Sequence, residues 1–411
     1  MVPSGWSNES LKDICSKTIS YGIVQTGENL ESGVPCVRVV DLSKNTLNPI
    51  DMIKTSDEIH KSYKKTILCE GELMMALRGE IGLVKKVTPE LIGANITRGL
   101  ARLSPIKSVD SDYLLWTLRS NKIKNELARK SGGSALQEIA LGSLRKIVLP
   151  IPPLSEQRKI AKILSIWDKA ISTTEKLIET SKQQKKALMQ QLLTGKKRLV
   201  NPETGKVFEG DWEEVKIENI ASKVMVGIAS AATHAYSTSG IRMLRNLNIK
   251  NGWIDHSDIL FVSEKYEYQH RNKRLKTGDI LTVRTGYPGL SAIVPEKFNN
   301  AQCFTSLITR LNQEMALPDF VCKYINSEFG KKFISSGEAG GAQKNVNAAI
   351  LKKMPIPLPA LNEQQTISTV LSVADKEIEV LEAKLAHFKQ EKKALMQQLL
   401  TGKRRVVVDA A

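Results

Sequence analysis

Lys185-Lys186-Ala187-Leu188-Met189-Gln190-Gln191-Leu192-Leu193-Thr194-Gly195-Lys196 recurs without a mismatch as Lys392–Lys403, 207 residues further on. The same shift, within one or two residues, carries Gly33 onto Gly240, Arg38 onto Arg245, Gly71 onto Gly278, Gly82 onto Gly289 and Asp112 onto Asp319. Solenoid repeats have periods of roughly 20 to 50 residues. A domain-sized period instead specifies two globular units, each followed by its own helix.

Each copy of the repeat closes a stretch with helical spacing. Ile160, Leu164, Trp167, Ile171, Thr174, Ile178, Ser181, Lys185, Leu188 and Leu192 fall at alternating intervals of four and three. So do Ile367, Leu371, Ala374, Ile378, Leu381, Leu385, Phe388, Lys392, Leu395 and Leu399. That spacing specifies a coiled-coil seam, and two stripes in one chain most economically bury each other. Pro150-Ile151-Pro152-Pro153 and Pro355-Ile356-Pro357-Leu358-Pro359 precede the helices, since proline is excluded from a helix interior. Ser155 is the expected N-cap of the first helix, and Asn362 with Gln365 gives the second a capping-box-like start. Gly195 and Gly402 sit where a C′ glycine belongs. A helix of about 39 residues is near 60 Å long, more than one small domain can cover, so pairing of the two helices is expected.

Ahead of each helix lies a strand-rich region. Val37-Arg38-Val39-Val40 and Ile147-Val148-Leu149 are β-branched runs punctuated by Gly71, Gly79, Gly82 and Gly93. In the second region Asp279-Ile280-Leu281-Thr282-Val283-Arg284 leads into the turn Thr285-Gly286-Tyr287-Pro288-Gly289. Helical stretches over 113–129 and 320–335 follow, so the fold class is α+β.

With 60 Lys+Arg against 43 Asp+Glu the formal charge is +17, which points to a polyanionic partner, nucleic acid first. Cys15, Cys36, Cys69, Cys303 and Cys322 form no Cys-x-x-Cys pair, and Met-Val-Pro-Ser-Gly-Trp at the start lacks the features of a secretory signal. The expected compartment is the cytoplasm. No apolar run approaches the roughly 20 residues needed to cross a bilayer, so no membrane partner is expected.

Catalytic motifs are missing. There is no Gly-x-x-x-x-Gly-Lys-Ser/Thr loop and no Gly-x-Gly-x-x-Gly; Gly205-Lys206 is followed by Val207. Pro318-Asp319 is not followed by the Asp/Glu-x-Lys of a metal-dependent nuclease, and no Asn-Pro-Pro-aromatic string serves methyl transfer to a base amine. His60, His234, His256, His270 and His387 show no ligand spacing. Binding surfaces without catalysis, metal or cofactor are expected.

Pro-Ile-Pro-Pro-Leu-Ser-Glu-Gln-Arg-Lys-Ile over 150–160, Pro-Ile-Pro-Leu-Pro-Ala-Leu-Asn-Glu-Gln-Gln over 355–365, Gly132-Gly133-Ser134 and Gly340-Gly341 resemble the specificity subunit of type I restriction-modification systems. The resemblance spans the whole chain, though the second Pro-rich segment reads two residues longer than the first. It implies a pseudo-twofold repeat: target-recognition domain 1 over 1–153, a central long helix over 154–195, a linker over 196–210, target-recognition domain 2 over 211–357, a C-terminal long helix over 358–403 and a tail over 404–411. The two helices would form an antiparallel coiled coil. It further implies that each domain reads half of an asymmetric bipartite site in double-stranded DNA. Methyl transfer to adenine and cleavage belong to separate subunits in that family: two methyltransferase subunits and restriction/translocase subunits. Lys185, Lys186, Gln190, Lys392, Lys393 and Gln397, in the repeated segment, are the expected docking residues. The alternative is a stand-alone sequence-specific DNA-binding regulator or scaffold, which gives no reason for two helix ends to stay identical while the globular regions diverge.

Duplication also sorts the DNA contacts. Residues kept in both repeats cannot easily read different half-sites, so Arg38 and Arg245 are expected to hold phosphate or scaffold. Arg78 and Arg284, one residue out of register, are further phosphate candidates. Residues that differ are the expected base readers: Gln25 (Ala232 by offset), Arg98 (Thr305) and Arg242 (Pro35), since Arg pairs bidentately with guanine and Gln with adenine. Tyr21 and Tyr287 lie in Gly-containing loops, where packing on DNA and packing in the core are both open.

Overall fold

A computed structural model describes residues 2–132, 137–229, 233–337 and 345–408. The chain folds as two compact units, residues 1–176 with 383–411, and residues 177–382. Gly133, Ser134, Ala232, Gly340 and Gly341 lie outside the described residues.

The first unit contains β1 (Ser7–Ser10), β2 (Ser20–Tyr21), β3 (Val34–Val37), β4 (Ile53–Thr55), β5 (Leu73–Ala76), β6 (Val84–Lys86), β7 (Asn95–Ile96), β8 (Leu100–Leu103) and β9 (Val148–Ile151). They form a four-stranded sheet of order β2-β8-β5-β6, a three-stranded sheet of order β4-β3-β7, and the antiparallel pair β1-β9. Why the larger sheet is covered on both faces is written in β5. All four residues of Leu73-Met74-Met75-Ala76 are buried, and successive strand side chains point to opposite faces. Leu73 and Met75 join one core with Leu114 and Leu118 of α1 (Ser111–Leu118) and Ile123 and Leu127 of α2 (Asn121–Lys130). Met74 and Ala76 join a second core with Val37 and Ile96 from the other sheet.

In the second unit β10 (Glu213–Lys216) pairs with β19 (Pro355–Leu358), and the sheet β11-β18-β15-β16 comprises Ala221–Val226, Leu307–Leu311, Ile280–Thr282 and Ser291–Ile293. A third sheet, of order β12-β14-β13-β17, comprises Tyr236–Ser237, Leu260–Val262, Ile241–Leu244 and Gln302–Cys303. Ile280 and Leu281 again serve two different cores, the first shared with Phe320 of α3 (Pro318–Asn326) and Ile334 of α4 (Glu328–Ser336). From Val34 and Ile241 onward the equivalent strands and helices keep the 207-residue offset almost throughout, so the repetition seen in the sequence is a repetition of topology.

Both joints into the long helices have one length. Val148–Ile151 and Pro355–Leu358 are equivalent strands, and the helices start at Leu154 and Leu361, again 207 residues apart. The extra two residues read into the second Pro-rich segment are therefore a misalignment: Pro355 matches Val148, and Pro357 matches Pro150. Each strand lies in a two-stranded ladder, where proline is tolerated. Ser155 and Asn362 fall inside the first turn and cap neither helix as a preceding N-cap would.

The helices span Leu154–Leu192 and Leu361–Leu399, 39 residues each. Within the first unit Trp167 meets Phe388 edge-on at 5.5 Å, Lys389 pairs with Glu175 at 2.7 Å, and Lys392 pairs with Asp168. In the second unit Lys182 pairs with Glu382 at 2.6 Å and Lys185 with Asp375. In both units rising numbers on one helix meet falling numbers on the other, as in an antiparallel pair. Ile160, Leu164, Ile171, Thr174, Ile178, Ser181 and Leu192 are buried along the first stripe, and Ile367, Leu371 and Leu399 along the second. Gly195 and Gly402 have φ near +70°, and the chain returns through Lys197 N to Gln191 O and Arg404 N to Gln398 O, both at 3.2 Å.

Candidate nucleic-acid interface

One close approach builds a cleft in the first unit. A Cβ on Gly22 would lie 1.8 Å from the Ile96 carbonyl oxygen, so only glycine lets the segment after β2 run against β7. Ile23 N donates to Ile96 O and Arg98 N to Ile23 O, both at 2.8 Å, which ties the Gln25 loop to the Arg98 turn. Arg38, Arg78 and Arg98 line one open cleft of about 540 Å³ together with Val24, Thr26 and Val40. Gln25 is exposed between Val24 and Thr26, and Arg98 is exposed at the rim. Val24 and Val40 are 46% and 60% exposed, an apolar surface absent from the contacts expected by comparing the repeats. Alternation at the ends of short strands carries too little signal to reveal it.

The three arginines are not equivalent. Arg38 makes a bidentate contact with Asp41, Nε to Oδ2 at 3.1 Å and Nη2 to Oδ1 at 3.2 Å. Asp41 is fully buried, and burial pushes its carboxyl up, but the hydrogen bonds from Arg38 outweigh this and hold it below the usual carboxylate value. Arg38 thus fixes the cleft wall. Arg78 and Arg98 have no carboxylate partner among the described residues.

In the second unit Arg245 takes the place of Arg38. Its backbone N donates to Asn248 Oδ1 at 2.8 Å as Arg38 N does to Asp41 Oδ2 at 3.0 Å. Asn248 carries no charge, and the Arg245 guanidinium pairs instead with Asp258 at 2.6 Å. Arg284 is not the counterpart of Arg78. Val346 N donates to Arg284 O as Ile139 N donates to Leu77 O, so Arg284 stands where the first unit buries Leu77, and its Nε reaches Val346 O at 3.4 Å. Arg242 is exposed on β13 and donates to Lys297 O at 2.7 Å; no described contact joins it to Arg245 or Arg284. Ile228 matches Ile23 at an offset of 205, pairing with Cys303 O and Thr305 N as Ile23 pairs with Ile96 O and Arg98 N. Arg98 and Thr305 are therefore true counterparts. The counterpart of Gln25, by contrast, shifts from Ala232 to Ser230, also outside the described residues. Tyr21 and Tyr287 are 46% and 81% exposed, which removes the core reading for both.

The Glu-Gln pair at each long-helix start is structural. Gln157 accepts from Asp110 N at 2.7 Å and donates to Ser108 O at 2.9 Å and Pro152 O at 2.8 Å. Gln364 repeats this with Leu317 N at 2.8 Å, Met315 O at 3.1 Å and Pro359 O at 2.8 Å. Glu156 accepts from Trp6 and Arg405, and Glu363 from Trp212 and Arg198, so each helix start is clasped by a Trp ahead of its own globular region and by an Arg that follows the other long helix. At the repeated segment Lys186 and Gln190 are exposed in one unit and Lys393 and Gln397 in the other, whereas Lys185 and Lys392 are half-buried in the helix pair.

Among the described residues no group of His, Cys, Asp and Glu could hold a metal ion, and no helix is long and apolar enough to cross a membrane. Burial pushes the Cys303 and Cys322 thiols up to about 12. Solved structures share this fold over nearly the whole chain. A structure described as showing complex assembly and conformational transition of the type I R-M system superposes over 98% of this chain and 100% of that one, with a TM-score of 0.59 at 16% identity. The type I S subunit from M. genitalium superposes over 97% of this chain and 96% of its own, with a TM-score of 0.57 at 13% identity. The model of the type I restriction modification DNA specificity domain matches twice, over 3–182 and 209–390, and the chain belongs to that family. It is 30% identical over 313 residues to the MjaVIII specificity subunit of Methanocaldococcus jannaschii, covering 73% of this chain and 72% of that protein. With the MjaX specificity subunit of the same organism, a putative one, identity is 28% over 98% of this chain and 95% of the relative. With the EcoKI specificity subunit of Escherichia coli it is 22% over 89% and 81%. The protein is thus a DNA-recognition subunit without catalysis of its own, which disfavours the stand-alone regulator.

Proposed function

We propose that this specificity subunit reads an asymmetric bipartite site in double-stranded DNA and holds two adenine methyltransferase subunits on it, with restriction/translocase subunits joining the complex in the cytoplasm. The supporting observation is a contrast between repeats. The twelve-residue helix end is identical and presents the same exposed Lys and Gln in both units, whereas Arg98, which lines the first unit's cleft, has Thr305 as its counterpart in the second. A surface kept twice suits two copies of one partner; globular regions that differ at such a position suit two half-sites. Recognition is assigned to 1–153 and 211–357, the long helices to 154–195 and 358–403, the linker to 196–210 and the tail to 404–411. Base reading falls to Gln25, Arg98 and Arg242. Arg78 holds phosphate, Arg38 and Arg245 shape the walls beside it, and Arg284 contributes phosphate contact from its half-buried position. Docking falls to Lys186, Gln190, Lys393 and Gln397, with Lys185 and Lys392 supporting from the helix pair.

Single-molecule sequencing of the native genome tests the DNA half of this reading: modified adenines should define one motif with two unlike halves and an unread gap. A palindromic motif would contradict it. Native mass spectrometry of the co-purified complex tests the other half, and a complex that holds a single methyltransferase copy at saturating partner would count against two docking faces.

A further inference from the structure

The repeated helix end sits in two electrostatically different grooves. In the second unit α4 begins with Glu328, whose carboxylate pairs with Lys186 Nζ at 2.6 Å and accepts from Gln190 Nε2 at 2.6 Å. In the first unit Lys393 and Gln397 take the places of Lys186 and Gln190, but α2 begins with Asn121. The carboxylate is missing there. The groove beside Asn121 is a cavity of about 890 Å³ lined by seven Lys and Arg side chains and by no Asp or Glu. Its counterpart beside Glu328 has about 500 Å³, with four Lys balanced by Glu328, Asp375 and Glu382. Among the described residues Lys122, Lys124, Lys393 and Lys403 have no carboxylate partner, while Lys389 and Lys392 are already paired with Glu175 and Asp168.

From this we infer that the first-unit groove receives an acidic segment of a protein partner, whose carboxylate takes between Lys393 and Gln397 the place that Glu328 fills in the second unit. The same two side chains, on the same twelve-residue sequence, hold a carboxylate in one copy and face an open basic cavity in the other, four of whose lysines have no carboxylate partner among the described residues. Unpaired lysines converging on a concave site favour an anion. What the other copy selects there is a carboxylate accepting from Lys and Gln together. The inference rests on the docking role proposed above for the repeated segment.

Asn121→Glu builds the second unit's arrangement into the first. Asn121 is exposed at the first turn of its helix, where an acidic residue is favoured, so the variant retains the fold. Fluorescence anisotropy with fluorescein-labelled hexaglutamate on the full-length protein reads the groove directly. N121E and Lys393→Glu should each weaken the peptide by about tenfold or more, whereas Asn45→Glu, the same charge change on an exposed loop that does not line the groove, should leave it within about twofold. Equal binding by N121E, K393E and the parent protein would overturn the inference. A labelled short duplex without the modified motif provides the second arm: if N121E loses the duplex as strongly as the peptide, the groove tracks DNA phosphate and the inference is overturned. Native mass spectrometry with the methyltransferase subunit separates the two readings. Loss of hexaglutamate with both methyltransferase copies retained upholds the acidic-segment groove and overturns docking at the repeated segment.

Discussion

Gln157 and Gln364 show how much of this chain is held by single side chains. Both are fully buried, and each closes three hydrogen bonds to main-chain groups, one just past the proline-rich strand and two just ahead of the helix at Ser111 or Pro318. A leucine of similar size removes all three and orphans buried backbone groups, at a cost of about 2 to 4 kcal/mol per site. Q157L and Q364L should each lower the thermal midpoint, read by calorimetry; an unchanged midpoint in both would refute the assignment. The cleft arginines separate by what they touch. Arg98 is exposed and unpaired, so Arg98→Ala should cost about 1 to 3 kcal/mol in binding of the cognate duplex and relax discrimination at one base pair. Arg78→Ala should weaken cognate and mutated duplexes alike and lower the salt slope by about one. Anisotropy titrations across salt concentrations distinguish the two, and an R98A loss that is uniform across sequences would move Arg98 to the phosphate group. Asp41 adds a pH signature. Its folded value lies below the ordinary carboxylate value of about 3.9, so its contribution is present above that pH and is lost as pH falls through the lower folded value. Melting of Asp41→Asn and the parent protein should differ most above about pH 5 and converge in stronger acid; a gap that widens in acid would reverse the sign.

At the level of elements, the two glycines that end the long helices make unequal demands. Gly195 and Gly402 share a left-handed φ near +70°, which costs any other residue about 1 kcal/mol. A Cβ at Gly195 would lie 3.3 Å from the Trp212 ring, whereas one at Gly402 would lie 2.4 Å from Pro3 Cγ, so there the neighbouring segment must also move. Gly402→Ala should therefore lower the thermal midpoint further than Gly195→Ala; equal shifts would show that Pro3 yields freely. The helix stripes and these end glycines were legible in the sequence because periodicity and backbone sterics are local properties. Helix starts were not. Ser155 and Asn362 have the chemistry of caps, but the starts are fixed by Gln157 and Gln364, whose partners Asp110 and Leu317 are 47 residues away in each unit. The cleft was legible in part. Comparison of the two repeats singled out Arg38, Arg78 and Arg98, yet the contact between Gly22 and Ile96 that brings the Gln25 loop to the Arg98 turn is contained in no spacing rule. The one-residue offset between Arg78 and Arg284 is borne out by the backbone, where Arg284 accepts from Val346 as Leu77 accepts from Ile139.

Across the whole molecule the decisive property is that each unit closes its own cores. Leu73, Met75 and Leu114 are buried with residues of the first unit alone, and Ile280, Phe320 and Leu351 with residues of the second. Equivalent elements keep the 207-residue offset from Val34 to the end of each long helix, and β1 and β10 stand 206 apart, so residues 4–150 and 211–357 are equal in length and meet equivalent joints with one residue of slack at the entrance. The joint residues support the exchange: Glu156 and Glu363 clasp Trp and Arg in the same way, and Gln157 and Gln364 bind equivalent main-chain groups. Replacing residues 211–357 by a second copy of 4–150 should then give a folded protein that keeps both long helices and both copies of the repeated twelve-residue segment. On the proposal that base reading falls to a few side chains of each globular region, one half-site should change to the sequence read by the first unit while the other half stays as it was. Methylation mapping in cells that carry the variant with its methyltransferase subunit reads this out. A motif in which both halves change, or in which neither does, would show that recognition is not partitioned between the two units.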